Sequence, residues 1–218
     1  MKKLLSLVLC TMLLFSLAAC TGNNTGTSVR EGSSVPSESS ESVGDTANFS
    51  EPSEEPVSDT GDILVAYFSW SGNTETMANL IQQETGGDLF EITPAAPYTN
   101  DYNELLDIAQ QEQDENARPE LASQVENWEN YDIVFVGYPD WWSDAPMLIY
   151  TFLESYDWTG KMLIPFCTSG GSGFGRSLSH LEASAPGAAI LDGLHVQDDD
   201  VEHSASEISD WISGLELN

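Results

Sequence analysis

The chain has 218 residues and a formal net charge of −30, with six lysine and arginine residues against 36 aspartate and glutamate residues. A surface this acidic repels nucleic acid and anionic lipid head groups, which argues against a nucleic-acid-binding protein and favours a basic docking partner. Only Arg118, Lys161 and Arg176 are basic beyond residue 60. We therefore expect any anionic ligand to be held by backbone dipoles and hydroxyl groups, and not by salt bridges.

The first twenty residues have the pattern of a bacterial export signal. Two lysines follow Met1 and precede an apolar stretch from Leu4 to Ala19, which is too short and wrongly flanked for a spanning helix. The stretch ends in Leu17-Ala18-Ala19-Cys20, which resembles the bacterial lipobox. We predict a signal peptide over 1–19 and a lipid on Cys20, which would anchor the protein to the outer face of the cytoplasmic membrane through that lipid alone. A secretory signal cleaved nearby is the alternative.

Residues 20–60 are predicted to form a flexible tether. From Thr21 to Thr60 the chain is rich in Ser, Thr, Gly, Glu, Pro and Asn, with scarcely any large apolar residue. Such a composition cannot offset the entropy lost on ordering. One folded domain is then expected over residues 61–218, a length near the most common domain size.

Beyond Gly61, short apolar runs alternate with amphipathic stretches. The run from Asp62 to Phe68 is continuously apolar after its first residue, as in a strand covered on both faces. Alternation of strands and helices predicts an α/β fold with a doubly wound parallel sheet and helices on both faces. In such sheets ligands bind beyond the carboxyl ends of the strands, here in the loops after strands one, three and four. The predicted strands are 62–68, 88–93, 132–137, 161–167 and a weaker 188–191, and the predicted helices are 74–84, 102–113, 147–156, 173–183 and 201–215.

The loop after the first strand is suited to a phosphate group. It reads Ser69-Trp70-Ser71-Gly72-Asn73-Thr74 and opens directly into a helix. Unpaired N–H groups at a helix start and rotating hydroxyls hold an anion without a lysine. The fingerprints of nucleotide-hydrolysing P-loops and of dinucleotide-binding loops are both missing here, so one phosphate is the economical interpretation. A polar capping loop is the alternative.

The loops after strands three and four complete the predicted site. Two adjacent tryptophans stand in Tyr138-Pro139-Asp140-Trp141-Trp142, and exposed rings are costly unless they cover something flat. We expect one ring to pack in the core and the other to contact the ligand. The glycines of Thr168-Ser169-Gly170-Gly171-Ser172-Gly173 allow a close backbone approach.

Other chemistries find little support. His180, His195 and His203 share no metal-ligand spacing, so no metal site is predicted. The run Asp198-Asp199-Asp200 is interpreted as a solvated helix start. A hydrolase elbow around Ser172 fails because Phe174 replaces its last glycine. Cys167 ends an apolar run and is interpreted as a buried structural cysteine.

Together the three loops resemble those of the flavodoxin family, over essentially all of residues 61–218. The resemblance implies a sheet of order 2-1-3-4-5 and bound flavin mononucleotide (FMN). It also implies the short form of the fold, because the long insertion in the last strand is missing. Relatives often have an aliphatic residue where this chain has Asp140, and glycine in place of Ser143. The residues implied to bind FMN are Ser69, Ser71, Gly72, Asn73 and Thr74 at the phosphate, Pro139, Asp140, Trp141 and Trp142 beside the ring, and Thr168, Ser169, Gly170, Gly171, Ser172 and Gly173 at its pyrimidine side. Trp70, within the first loop, is also implied to bind the cofactor.

The function implied by the resemblance is electron transfer at the membrane surface, with a redox protein or a small molecule as partner. Two alternatives stay open. The chain could be an NAD(P)H-dependent FMN oxidoreductase that reduces a quinone or another small acceptor. It could also be a non-redox binding module that kept the fold and lost the cofactor.

Overall fold

A computed structural model describes residues 62–217 of the chain. The predicted signal peptide, the lipidated Cys20 and the tether lie outside the described residues. Across residues 62–217, no helix has the length and apolar character needed to cross a membrane.

The described residues form one parallel sheet with helices on both faces. Its strands are β1 (Asp62–Tyr67), β2 (Asp88–Glu91), β3 (Tyr131–Pro139), β4 (Met162–Ser169), β5 (Ala189–Ile190) and β6 (Leu194–Gln197). Their order is β2-β1-β3-β4-β5, with β6 also paired to β4, and this confirms the predicted fold and strand order. The helices are α1 (Asn73–Thr85), α2 (Tyr102–Glu115), α3 (Met147–Glu154), α4 (Ser177–Ser184) and α5 (Ala205–Gly214), with short 3₁₀ helices at Trp128–Asn130 and Asp198–His203.

Two apolar layers sandwich the sheet because alternate side chains of a strand point to opposite faces. Val65 and Phe135 pack on one face with α1 and α5. Their neighbours Leu64 and Val134 pack on the other face with α3 and α4. All four of these side chains are essentially inaccessible to water. Burial on both faces explains why β1 and β3 are continuously apolar in sequence.

The fifth strand differs from its prediction. The sequence predicts a single strand at 188–191, whereas the structure has the two-residue β5 and then β6, both paired with β4. The ladder breaks opposite Pro165, which has no N–H to donate, and Gly193 lies so close that a Cβ on it would be 2.5 Å from the Pro165 carbonyl oxygen. The three-residue break is consistent with the short form of the fold.

Two predicted helices start later than their apolar spacing suggests. The helix predicted from Gly173 begins at Ser177 instead, because Gly173 and Gly175 have φ of +66° and +52°, outside the helical region. The helix predicted over 201–215 is a 3₁₀ helix through His203 followed by α5.

Candidate functional site

A cavity of about 660 Å³ lies where β1, β3 and β4 end. These strands are neighbours at the centre of the sheet, and their carboxyl ends open on one edge. Ten residues of the three predicted loops line the cavity: Trp70, Ser71, Asn73, Pro139, Asp140, Trp141, Trp142, Thr168, Ser169 and Gly170. Its size is typical of small-molecule and cofactor pockets.

Six of the predicted site residues do not line the cavity: Ser69, Gly72, Thr74, Gly171, Ser172 and Gly173. Several of these residues hold the loops in place, through hydrogen bonds within one loop or between two loops. Thr74 and Thr168 are both buried, and their hydroxyl oxygens are 2.9 Å apart, which joins the start of α1 to the end of β4. The roles of all sixteen residues in binding FMN stay predictions.

The first loop ends at a helix start that has no side-chain cap. Gly72 is the N-cap of α1 with φ of +98°, a conformation that favours glycine. The Gly72 amide donates to Ser69 Oγ at 3.1 Å, and the Gly72 carbonyl accepts the first helical bond, from Thr76 N–H at 2.9 Å. The amides of residues 73–75 precede that bond and have no partner in the helix. The arrangement is suited to an anion.

The tryptophan pair sits on a tight turn with an unusual backbone. Trp141 and Asp144 exchange two main-chain hydrogen bonds of 2.8 and 3.1 Å, and the intervening Trp142 and Ser143 have φ of +53° and +58°. Positive φ at both central residues is the pattern of a type I′ turn, which favours Asn-Gly. Ser143 therefore takes a glycine-like conformation, at a cost of about 1–2 kcal/mol for a residue with a Cβ.

Neighbouring segments hold this turn in place. Gln113 of α2 donates from Nε2 to the Trp141 carbonyl at 2.6 Å, and the Arg176 amide donates to the Ser143 carbonyl at 2.9 Å. The carboxylate of Asp144 is buried and accepts from Arg176 Nε at 2.8 Å and from the hydroxyl of Tyr150. A backbone that is strained in isolation persists where its surroundings over-determine it, as they do here.

The two tryptophans have different environments, in agreement with the expectation that one ring packs in the core. Trp141 contacts Phe68 and Tyr98 edge-on, with ring centroids 5.4 and 5.3 Å away. Trp142 is 47% exposed, and its Nε1 donates to the Leu106 carbonyl of α2 at 3.1 Å. The Trp142 ring is thus available to a ligand in the cavity.

The glycine loop after β4 is organised by Ser169. Ser169 Oγ accepts hydrogen bonds from the amides of Gly171 at 3.1 Å and Gly173 at 3.2 Å, and lies 2.8 Å from His195 Nε2. A hydroxyl has one proton and two acceptor positions, so the two amides leave Ser169 to donate its proton to His195 Nε2. The amides of Gly171 and Gly173 are therefore bonded within the protein. Of the glycines in this loop, Gly170 lines the cavity.

No lysine or arginine lines this cavity. Arg176 pairs with Asp144, and Arg118 pairs with Glu154 at 2.8 Å. Lys161 precedes β4, at the opposite end of the strands, and donates to the carbonyls of Trp128 and Tyr131. An anionic group in the cavity would therefore meet backbone and hydroxyl donors, as the composition predicts.

Asp140 is the acidic residue closest to the tryptophan turn on the cavity wall. Its Oδ2 accepts from Ser172 Oγ at 2.5 Å, whereas its Oδ1 is buried and has no hydrogen-bond partner among residues 62–217. Burial raises the pKa of Asp140, and the nearby Asp144 carboxylate raises it further, whereas the Ser172 hydroxyl, the Ser143 amide and His195 oppose this rise.

Sequence reasoning missed the wall that α2 contributes. Tyr102, Leu105, Leu106 and Ala109 line the cavity, as does Asp198 from the 3₁₀ helix after β6. The four α2 residues have the i, i+3, i+4, i+7 spacing of one helical face, a spacing that is typical of a helix packed on a core. Tyr102 is 60% exposed and tilts against Trp70, with ring centroids 6.2 Å apart. The available signal in the sequence was an aromatic residue at the first position of this apolar helical face.

Cys167 is buried and free, as the sequence predicts. Burial strongly raises the pKa of its thiol, so it is not a reactive thiolate. Within the described part of the chain, no three His, Cys, Asp or Glu side chains are grouped so that they could hold a metal ion.

The sheet order and the cavity define an α/β protein that binds a ligand at the topological switch point of a doubly wound sheet. A family model described as Flavodoxin matches residues 62–215. The chain belongs to the flavodoxin family.

Solved structures of similar proteins agree with this assignment. A proposed flavoprotein from Bacteroides eggerthii is 37% identical, with a TM-score of 0.58, over 68% of this chain and 98% of that one. A second from Bacteroides uniformis is 34% identical, with a TM-score of 0.64, over 70% of this chain and 98% of that one. A Lactobacillus acidophilus flavoprotein solved in complex with FMN is 27% identical, with a TM-score of 0.55, over 66% of this chain and 97% of that one. No curated protein matches the chain significantly.

Proposed function

We propose that the chain binds FMN in the cavity and carries electrons between partners at the outer face of the cytoplasmic membrane. The observation that carries this proposal is the cavity itself, where an uncapped helix start, exposed aromatic rings and an unpartnered polar atom lie together. The similar Lactobacillus acidophilus flavoprotein binds FMN, which supports the same cofactor here.

The residues present fit the two ends of FMN. The main-chain amides at the start of α1, together with Ser71 and Asn73, would hold the phosphate. Trp70, Tyr102 and Trp142 would offer faces to the flat ring, since stacking on aromatic side chains favours flat conjugated ligands. When bound, FMN supplies the redox chemistry, and the protein supplies position and electrostatics.

The charge of the chain would act on the bound flavin as well. A net charge of −30 disfavours further negative charge in the cavity, and no cation lines its wall to compensate. We expect the protein to lower the reduction potential of FMN relative to the free flavin. A measured potential above that of the free flavin would contradict this account.

The test of the cofactor is titration of the purified chain with FMN, followed by the visible flavin absorbance band and by quenching of flavin fluorescence. Trp142→Ala should weaken binding about tenfold, the effect of losing one stacked aromatic partner. Leu178→Ala is the matched control, because Leu178 is similarly exposed at 43% and lies outside the cavity wall. Failure of the wild-type chain to bind FMN would refute the proposal and leave a non-redox binding module.

Two further measurements test activity and location. Addition of reduced nicotinamide to the FMN-loaded chain should leave the flavin colour unchanged if the chain is a carrier. Bleaching would instead show an NAD(P)H-dependent oxidoreductase. In bacterial cells, Cys20→Ala should move the chain out of the membrane fraction, and continued membrane attachment of that variant would contradict the lipid anchor.

A further inference from the structure

His195 of β6 bonds to the serine that organises the glycine loop after β4. Cys167 and His195 are register partners, and Ser169 lies two residues further along β4, so Ser169 and His195 share one face of the sheet. Ser169 is buried, and its Oγ lies 2.8 Å from His195 Nε2. The same Oγ accepts hydrogen bonds from the amides of Gly171 and Gly173, at 3.1 and 3.2 Å. Three neighbours therefore bond to a single hydroxyl oxygen.

The protons around this oxygen determine the form of the His195 ring. A hydroxyl has one proton and two acceptor positions, and the two glycine amides fill both positions. Nε2 must then accept the hydroxyl proton, so the ring is neutral and carries its own proton on Nδ1. A ring protonated on both nitrogens would bring a third donor to the oxygen. Among residues 62–217, no second acceptor bonds to the Ser169 hydroxyl, so one glycine amide would then lose its partner.

The glycine loop contributes Ser169 and Gly170 to the cavity wall, so a change in the order of the loop reaches a ligand in the cavity. We propose that His195 is a positioning residue of this site. Its neutral ring accepts the Ser169 proton and leaves both acceptor positions to the loop, whereas its protonation releases one amide and loosens the loop. The ordering of the loop follows from contacts within the protein. Its effect on FMN affinity rests on the proposed function.

The charged groups near His195 are carboxylates. The titratable and charged groups around it are Asp140 after β3, Cys167 on β4 and Asp198 at the start of the following 3₁₀ helix. The Cys167 thiol is neutral because burial strongly raises its pKa. Residues 170–175 have no charged side chain, and Arg176, which follows them, pairs with Asp144. Histidine changes its charge between pH 5 and pH 8, which is therefore the range in which the loop should respond.

The first measurement determines the tautomer of His195 in the full-length chain, labelled with ¹⁵N, by NMR correlation of ring protons with ring nitrogens. The chain has three histidines, so His195→Gln and His203→Gln assign the signals. At pH 8 the His195 ring should carry its proton on Nδ1 alone. A proton on Nε2 at that pH would overturn the inference, whatever the affinity for FMN.

The second measurement compares amide hydrogen exchange in residues 170–173 between wild type and His195→Gln without FMN, from pH 5 to pH 8. The glutamine side-chain oxygen accepts the Ser169 proton at every pH. Intrinsic exchange depends on pH equally in both proteins and cancels in the ratio of their rates. At pH 5 the wild-type amides should exchange about tenfold faster than those of His195→Gln, the effect of one lost hydrogen bond, and at pH 8 the rates should agree.

His203→Gln is the matched control, because His203 is exposed and does not line the cavity. This variant should exchange as wild type does at each pH. A ratio between wild type and His195→Gln that stays the same from pH 5 to pH 8 would overturn the inference. Circular dichroism of each variant at both ends of the range establishes that the fold is retained.

The affinity for FMN links the loop to the proposed function. The FMN phosphate loses its second proton near pH 6, as phosphate esters do, and this titration cancels in the ratio of two dissociation constants. From pH 8 to pH 5 the wild-type dissociation constant should rise about tenfold more than that of His195→Gln. Parallel affinity curves would overturn the role of His195 in the site while leaving FMN binding established. If no variant binds FMN at any pH, the proposed function fails, and the tautomer and exchange measurements still decide whether His195 orders the loop.

Discussion

Gly175 controls the turn that presents Trp142, and its replacement by alanine provides a direct test of how that turn is held. Gly175 has φ of +52°, and a Cβ on it would lie 2.2 Å from the Ser143 carbonyl oxygen. Backbone atoms cannot move aside as a flexible side chain can. The added methyl group must therefore push the turn away from α4 and stretch the bond from Arg176 N–H to Ser143.

The expected loss in the free energy of unfolding follows from a comparison with Gly160→Ala. Gly160 also has positive φ, at +80°, but nothing lies within 4 Å of its Cβ position. The left-handed backbone costs alanine about 1–2 kcal/mol, and the reduced freedom of the unfolded chain returns about 0.4–1 kcal/mol. Gly160→Ala should therefore lose about 0.5–1 kcal/mol, and Gly175→Ala should lose about 1.5–4 kcal/mol once an overpacking cost of about 1–3 kcal/mol is added.

Urea unfolding of both variants, followed by far-ultraviolet circular dichroism, measures the difference. A melting-temperature shift of about 2–4 °C per kcal/mol provides a second estimate. FMN affinity separates stability from function: Gly175→Ala should weaken binding because it displaces Trp142, and Gly160→Ala should not. The reasoning is refuted if the two variants are equally stable, or if Gly175→Ala binds FMN as tightly as wild type.

Three further predictions concern charge, loop order and pH. FMN binding should tighten as salt shortens the Debye length from about 30 Å at 0.01 M to about 8 Å at 0.15 M, because the acidic chain repels the phosphate and no lysine or arginine on the cavity wall attracts it. The affinity for riboflavin, which has no phosphate, should change little. Weaker FMN binding at high salt would contradict this prediction. Ser169→Ala should speed amide hydrogen exchange in residues 170–173 about tenfold, because the amides of Gly171 and Gly173 lose their acceptor. The exchange rates of the β1 amides should stay unchanged. Unaltered exchange in residues 170–173 would show that other hydrogen bonds order the loop. Arg118 lowers the pKa of Glu154, so Glu154 stabilises the folded state above its unfolded-state pKa of about 4.3, and this contribution is lost as pH falls through the lowered folded-state pKa. Urea unfolding should therefore show Glu154→Gln less stable than wild type at pH 7, by a difference that shrinks towards pH 3. An equal difference at both pH values would exclude this ion pair as the cause.

The sheet was predictable from sequence because its central strands are covered on both faces. The continuous apolar runs of β1 and β3 report that environment directly, and the loops that follow them are rich in polar and glycine residues. The position of the site then follows from the rule for open α/β sheets. β6 was not predicted because its polar residues His195 and Gln197 alternate with Leu194 and Val196, so the segment lacks the continuous apolar run of a strand covered on both faces.

The details of the site depend on contacts between distant segments, which spacing cannot reveal. Ser143 adopts a glycine-like backbone, and the amide of Arg176, 33 positions along the chain, holds it there by donating a hydrogen bond to the Ser143 carbonyl. Tyr102 reaches the cavity through the docking of α2, which the apolar face of that helix does not distinguish from ordinary packing. The turn decides which tryptophan packs against the core and which is exposed to the cavity. The sequence predicts that one ring takes each position, but not which one.

The broken fifth strand has a consequence for the behaviour of the chain at high concentration. At this side of the sheet, β5 has two residues and β6 has four, and they are separated by the break in pairing opposite Pro165. At the other side, β2 is only four residues long and begins and ends with an acidic residue. Neither border presents a long, flat row of free main-chain groups to a second molecule, which is how natural sheets avoid joining edge to edge. Under the lipid anchor proposed above, neighbouring copies would be held close together, and such borders would keep their sheets from pairing.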